Sequence, residues 1–93
     1  MKPEIITKQF IIVYGVYAQV NEYKSKLKAY FSNEKDANQV AKSVKGWYTN
    51  SGTVEREEHD LEKFDHPVHE SPLEWAKANL SYNEMVKAGY ITP

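Results

Sequence analysis

The stretch from Gln9 to Tyr17 reads QFIIVYGVY, and it does not alternate. In a strand with one wet face, apolar and polar residues take turns, because successive side chains point to opposite sides. Here Phe10, Ile12, Tyr14 and Val16 fall on one side, and Ile11, Val13 and Tyr17 on the other. Such a strand belongs in the middle of a sheet with a layer over each face. Three layers are candidates for the second face: the C-terminal helix folded beneath the sheet, a second copy of the chain, or a different protein.

The other elements follow from local signals. Strand one is expected over about Lys8–Gln19 and strand two over about Lys26–Phe31, joined by a hairpin loop longer than two residues. Strand two alternates, with Leu27, Ala29 and Phe31 on one side and Lys26, Lys28 and Tyr30 on the other. A helix follows, capped by Ser32 or Asn33, with Glu34 and Asp36 in its first turn. Ala37, Val40, Ala41 and Val44 make a narrow stripe of small apolar residues. Gly46 stands where a helix stop would need a left-handed residue, and Trp47 follows it. Strand three is expected from Thr53 to about His59, and its charge (Glu55, Arg56, Glu57, Glu58) suits a sheet edge. Asp65–Glu70 reads as a linker, broken by Pro67. Ser71-Pro72-Leu73-Glu74 then opens a C-terminal helix, and a second capping pattern, Ser81 to Glu84, allows a break near Leu80.

The expected fold class is therefore α+β. It is a small antiparallel sheet of about three strands in the order ββαβ, with one packing helix and a C-terminal helical segment. A chain of 93 residues makes one domain. Residues 1–64 form its ββαβ core, and residues 65–93 form the linker and a helix that packs on that core or on a partner.

Composition excludes several classes. There is no cysteine, so there is no disulfide framework and no thiolate chemistry. The start of the chain lacks the long apolar core of a signal peptide, and the Phe10–Val16 run is too short to span a membrane. A cytoplasmic protein is expected, without membrane partners. No phosphate-binding glycine loop or nucleophile elbow is present. No catalytic residue is assigned, and the chain is read as not an enzyme.

Charge is uneven along the chain. Residues 1–50 hold eight lysines against four acids, +4, and residues 51–93 hold four bases against nine acids, −5, giving the net −1. The acidic segment with Glu55, Glu57 and Glu58 can dock on a basic partner, or can simply be a solvated edge. Tyr17, Tyr23, Tyr30, Trp47 and Tyr48 sit at strand ends and turns, and aromatics with a polar tip are enriched at interfaces. These eight residues are the candidate protein-binding set. Lys24, Lys26, Lys28, Lys42 and Lys45, with Tyr23 and Tyr30, are the candidate set for the alternative, nucleic-acid binding. A third alternative is a small-ligand or metal-binding regulatory domain. His59, His66 and His69 lie in an acidic stretch, but their spacing matches no metal fingerprint. An exposed linker is the plainer reading, so no metal or cofactor is expected.

From Phe10 to Glu58 the chain resembles small uncharacterised strand-strand-helix-strand domains of phage and bacterial genomes. The resemblance rests on the Tyr-rich first strand IIVYGVY and on the entry into the helix, YFSNEKDANQVAKSV. It implies a fold and a phage-type accessory role, and it carries over no active-site residue. The expected function is thus a non-catalytic protein-binding module that inhibits or modulates a host protein. A homodimer through the second sheet face is an accompanying expectation.

Overall fold

The computed structural model describes residues 8–44 and 52–92. The elements run β1 (Phe10–Gln19), β2 (Ser25–Phe31), α1 (Glu34–Ala41), β3 (Thr53–Asp60), β4 (Val68–His69), α2 (Pro72–Asn79) and α3 (Tyr82–Lys87). The fold is α+β, and the sheet has four strands in the order β3-β1-β2-β4. The double-faced β1 is central, antiparallel to both neighbours. The charged β3 forms an edge, as its composition requires.

The sheet is mixed rather than wholly antiparallel, because a fourth strand joins it. β4 pairs in parallel with β2, Tyr30 opposite Val68 and Phe31 opposite His69. A two-residue strand beside a proline has no periodicity to announce it. Its partner supplies its pairing, and Pro67 falls just outside the ladder.

Topology explains how both faces become covered. β2 and β3 both oppose β1, so they run parallel to one another and need a crossover over one face. That crossover carries α1. β3 and β4 are also parallel, at opposite edges, so residues 61–67 must cross β1 and β2 over the other face.

The α1 side holds the main core. Val16, Ala18, Ala29, Phe31, Ala37, Val40, Ala41, Val44, Trp75 and Ala76 form one buried cluster. The small stripe of α1 lets the helix lie close to the sheet. Asn33 caps α1, its Oδ1 accepting the Asp36 backbone N–H at 2.9 Å. The helix ends at Ala41 with Lys42 as its cap, earlier than Gly46 suggests. Gly46 and Trp47 lie outside the described residues. The C-terminal segment joins this same side, with Trp75 and Ala76 in the cluster, and does not fold beneath the sheet. It breaks at Leu80. Ser71 caps α2, while Ser81 and Glu84 make a reciprocal capping box on α3. Gly89, with φ +82°, closes α3 in the left-handed region.

One local expectation changes. β2 carries a bulge, because its register with β1 shifts between Val16, opposite Ala29, and Tyr17, opposite Leu27. Lys28 is the extra residue. Leu27 therefore stands on the Tyr17 side, apart from Ala29 and Phe31. The simple alternation of β2 holds only beyond the bulge.

Candidate functional site

The second face of β1 holds a polar network over a glycine. Directly opposed residues share a face. Gly15 opposes Glu55 on one side and Tyr30 on the other, while Val13 opposes Glu57 and Ile11 opposes His59. Glu57 gathers the group together. Tyr17 Oη donates to its Oε2, and Tyr30 Oη donates to its Oε1 at 3.1 Å. His59 Nε2 lies 2.8 Å from Oε1. An ionised carboxylate only accepts, so Nε2 carries the proton in that contact.

The chain from residue 61 to 67 folds across this network. Glu62 N–H bonds to Asp60 Oδ1 at 3.0 Å, and Phe64 N–H to the Asp60 carbonyl at 2.9 Å, which turns the chain back under the sheet. Phe64 meets Tyr30 edge-on at 5.2 Å between ring centres, and His66 meets it at 5.3 Å. His59 completes the ring cluster, 5.0 Å from Phe64. Tyr30 is left 6% exposed and Val13 not at all. The second layer that β1 demands is the chain's own β3–β4 connection.

Gly15 makes this possible. A Cβ there would lie 2.5 Å from Glu57 Oε2 and 2.7 Å from the Tyr17 ring. Only a residue without a side chain lets the carboxylate and the phenol meet over the strand.

Burial and hydrogen bonding set the titration of this network. Burial raises the Tyr17 phenol far above its ordinary range, and its bond to Glu57 adds to the shift. Burial also raises Tyr30, with the Glu57 charge adding, against an opposing effect of Tyr17. Burial alone would raise Glu57, but the hydrogen bonds from Tyr17, His59 and Tyr30 outweigh it and hold the carboxyl below the usual range. Glu57 thus accepts from three donors at once, and these bonds favour its ionised form and the protonated form of the Tyr17 phenol.

On the α1 side, the described residues leave part of the sheet uncovered. β2 ends at Phe31, opposite Tyr14, so β1 and β3 continue alone as a two-stranded ribbon. Its α1-side face presents Phe10, 56% exposed, and Ile12, 44% exposed. Their partners on that face are Asp60 and Glu58. This gives two adjacent apolar side chains bordered by two carboxylates. Among the described residues, no strand pairs with the outer side of β3.

The candidate protein-binding residues from the sequence are thus divided. Tyr17, Tyr30 and Glu57 belong to the internal network. Tyr23 is 90% exposed at the β1–β2 turn. Glu55 and Glu58 are exposed on β3. Trp47 and Tyr48 lie outside the described residues. Phe10, Ile12 and Asp60 were not singled out, although their place at the strand end was a signal that a short β2 leaves them uncovered.

The lysines are regrouped as well. Lys24 lies in the turn, whose backbone is held by Asn21 Oδ1 at 2.8 Å from both Tyr23 N and Lys24 N. Lys26 opposes Ala18 on the α1 side of the sheet. Lys28 and Lys42 line a cavity at the end of α1, Tyr30 faces the other way, and Lys45 lies outside the described residues. Of the histidines, His69 leaves the others and sits 3.3 Å from Glu74 Oε1. Among the described residues, no group of three or more histidines and acids is placed to hold a metal ion. Likewise, no described helix is long and apolar enough to cross a membrane. The chain matches no protein-family model, and neither a curated protein nor a solved structure is significantly similar to it.

Proposed function

We propose that this chain is a non-catalytic protein-binding module, and that its contact surface is the open ribbon face around Phe10 and Ile12. The observation that carries this reading is the pairing of two exposed apolar side chains with Glu58 and Asp60 on one antiparallel ribbon. Apolar groups rimmed by charge are the usual anatomy of a recognition patch.

The carboxylates set the partner's chemistry. A basic segment with apolar side chains matches the patch. A second copy added edge to edge on β3 does not. Antiparallel pairing of β3 with itself about Arg56 would set Glu55 against Glu57 and Arg56 against Arg56, and like charges directly opposed are unfavourable. In that register the outer edge of β3 opposes its own copy, while the carboxylates of the open face beside it suit a basic partner.

The test is capture from lysate of the native host, with and without nuclease, using the wild type and an Ile12→Asp variant. Ile12 is only 44% exposed and Asp there would oppose Glu58, so the variant is expected to lose about 1–2 kcal/mol, and circular dichroism must show that it is still folded before its binding is compared. One stoichiometric protein retained by the wild type and lost by the variant is the expected result. A retained protein indifferent to Ile12→Asp moves the contact off this face. Recovery of nothing but nuclease-sensitive material refutes the reading in favour of nucleic acid.

A further inference from the structure

The helix-bearing side has a second feature, at the other end of β1 from Phe10. A cavity of about 570 Å³ opens between β2, the end of α1, α2 and α3. Its apolar wall includes Val44, Trp75 and Leu80, and Lys28, Lys42 and Lys87 line it from three different elements. These lysines are 14 and 45 positions apart along the chain (28 to 42, 42 to 87), so only the fold brings them to one opening. None of the three is in an ion pair with another described residue. Glu84 is the one acid in the lining, and its Oε1 already accepts the Ser81 backbone N–H at 3.1 Å.

Two further observations bear on an occupant. The volume lies within the range of sites for small molecules, roughly 300–1,000 Å³. Trp75 is a lining residue, and among the described residues its buried indole N–H has no hydrogen-bond partner.

We propose that this cavity binds a small amphipathic anion, with an aromatic or acyl body against Trp75, Val44 and Leu80 and an acidic head between the Lys28, Lys42 and Lys87 ammonium groups. The two requirements come from different parts of the site. Apolar surface removed from water supplies the hold, and the unpaired lysines select the charge. The bulge in β2 has a part in this, because the extra residue it inserts is Lys28 itself. The site is separate from the ribbon face and stands or falls independently of it.

The test is an NMR titration with 2-naphthoate, read at backbone amides and at the indole N–H groups. Three other probes run alongside: 2-naphthalenemethanol, which keeps the rings and lacks the charge, inorganic phosphate, and a single-stranded oligonucleotide. The expected result is saturable shifts at Val44, Trp75 and Leu80 with 2-naphthoate. The alcohol should bind at least about 10-fold more weakly, the order of one charged hydrogen bond. A Lys28→Gln/Lys42→Gln double variant should weaken 2-naphthoate about 10-fold or more with its melting unchanged. Lys87→Gln should weaken it alone by a smaller factor, and Lys24→Gln should leave it as it was. The proposal is overturned if the alcohol binds as well as the acid, or if no saturable shift reaches the cavity by 10 mM, about the weakest useful limit. It is equally overturned if the lysine variants bind normally. Salt-sensitive oligonucleotide binding without 2-naphthoate binding would assign the lysines to nucleic acid instead.

Discussion

Replacing Gly15 by alanine tests the account of the second sheet face most directly. Its new Cβ would stand 2.5 Å from Glu57 Oε2 and 2.7 Å from the Tyr17 ring, both well inside contact distance. The strand itself is indifferent, since Gly15 does not use a left-handed backbone. The carboxylate is the end of a flexible side chain and can retreat, but only by loosening its bonds to Tyr17, Tyr30 and His59. A hydrogen bond to a charged group contributes roughly 1.5–3 kcal/mol, and crowding a filled site adds about 1 kcal/mol or more. Against this, alanine narrows the unfolded ensemble and returns about 0.5–1 kcal/mol. The net expectation is destabilisation by about 2 kcal/mol, or roughly 10 °C in Tm for a domain of this size. Urea unfolding followed by circular dichroism measures it, with an unchanged m-value as the check on two-state behaviour. The decisive comparison is a cycle with Glu57→Ala. Without the carboxylate, the alanine meets only the Tyr17 ring, so its cost should fall by about 1–2 kcal/mol. Equal costs in both backgrounds, or a Gly15→Ala protein that melts at or above the wild type, would refute the reasoning.

The other expectations concern titration and capping. Tyr17 has a raised folded pKa, so its contribution is present below the ordinary 10.0 and is lost as pH rises above it. The stability gap between wild type and Tyr17→Phe should therefore stay level from pH 6 to 9, as the order of a single charged bond, and narrow above about pH 10. A gap that widens there would contradict the assignment. Glu57 has the opposite sign. Its folded pKa is lowered, so its contribution is present above the ordinary 4.5 and declines as pH falls below that value. The gap between wild type and Glu57→Gln should shrink in acid over the same interval, as read by thermal melts. Ser71 Oγ accepts the Glu74 backbone N–H at 3.1 Å at the start of α2. Ser71→Ala should cost about 1 kcal/mol in urea unfolding, and no loss at all would show that this helix end is held by packing alone.

Much of this architecture is written in short-range chemistry. Asn33, Ser71 and Ser81 act within their own helix ends, so residue type and spacing suffice to read them. The apolar strand Phe10–Val16 could only be central, and the charged Thr53–Asp60 could only be an edge, because burial and desolvation sort residues by type. Gly15 between Tyr14 and Val16 also carried a legible hint, since glycine inside a strand often marks a close approach.

What the sequence could not express is which distant residues meet. Tyr17 and Glu57 are 40 positions apart. Their contact exists because the β1–β3 register sets Val16 against Val54, which carries Glu57 to the Gly15 side of the sheet. One residue of slip would turn the carboxylate to the helix side. The same holds for β4, whose pairing comes from β2, and for Phe64 and His66, which look like linker residues until two parallel strands at opposite edges force the connection across the second face. It holds too for the lysines, which the β2 bulge and the turn between α2 and α3 regroup around one cavity. Residue type alone determined where β1 to β3 and the three helices start, and the need for two covered faces. Register and crossover direction decided what covers them, because a pleated strand gives every residue one of two faces and only its neighbours settle which.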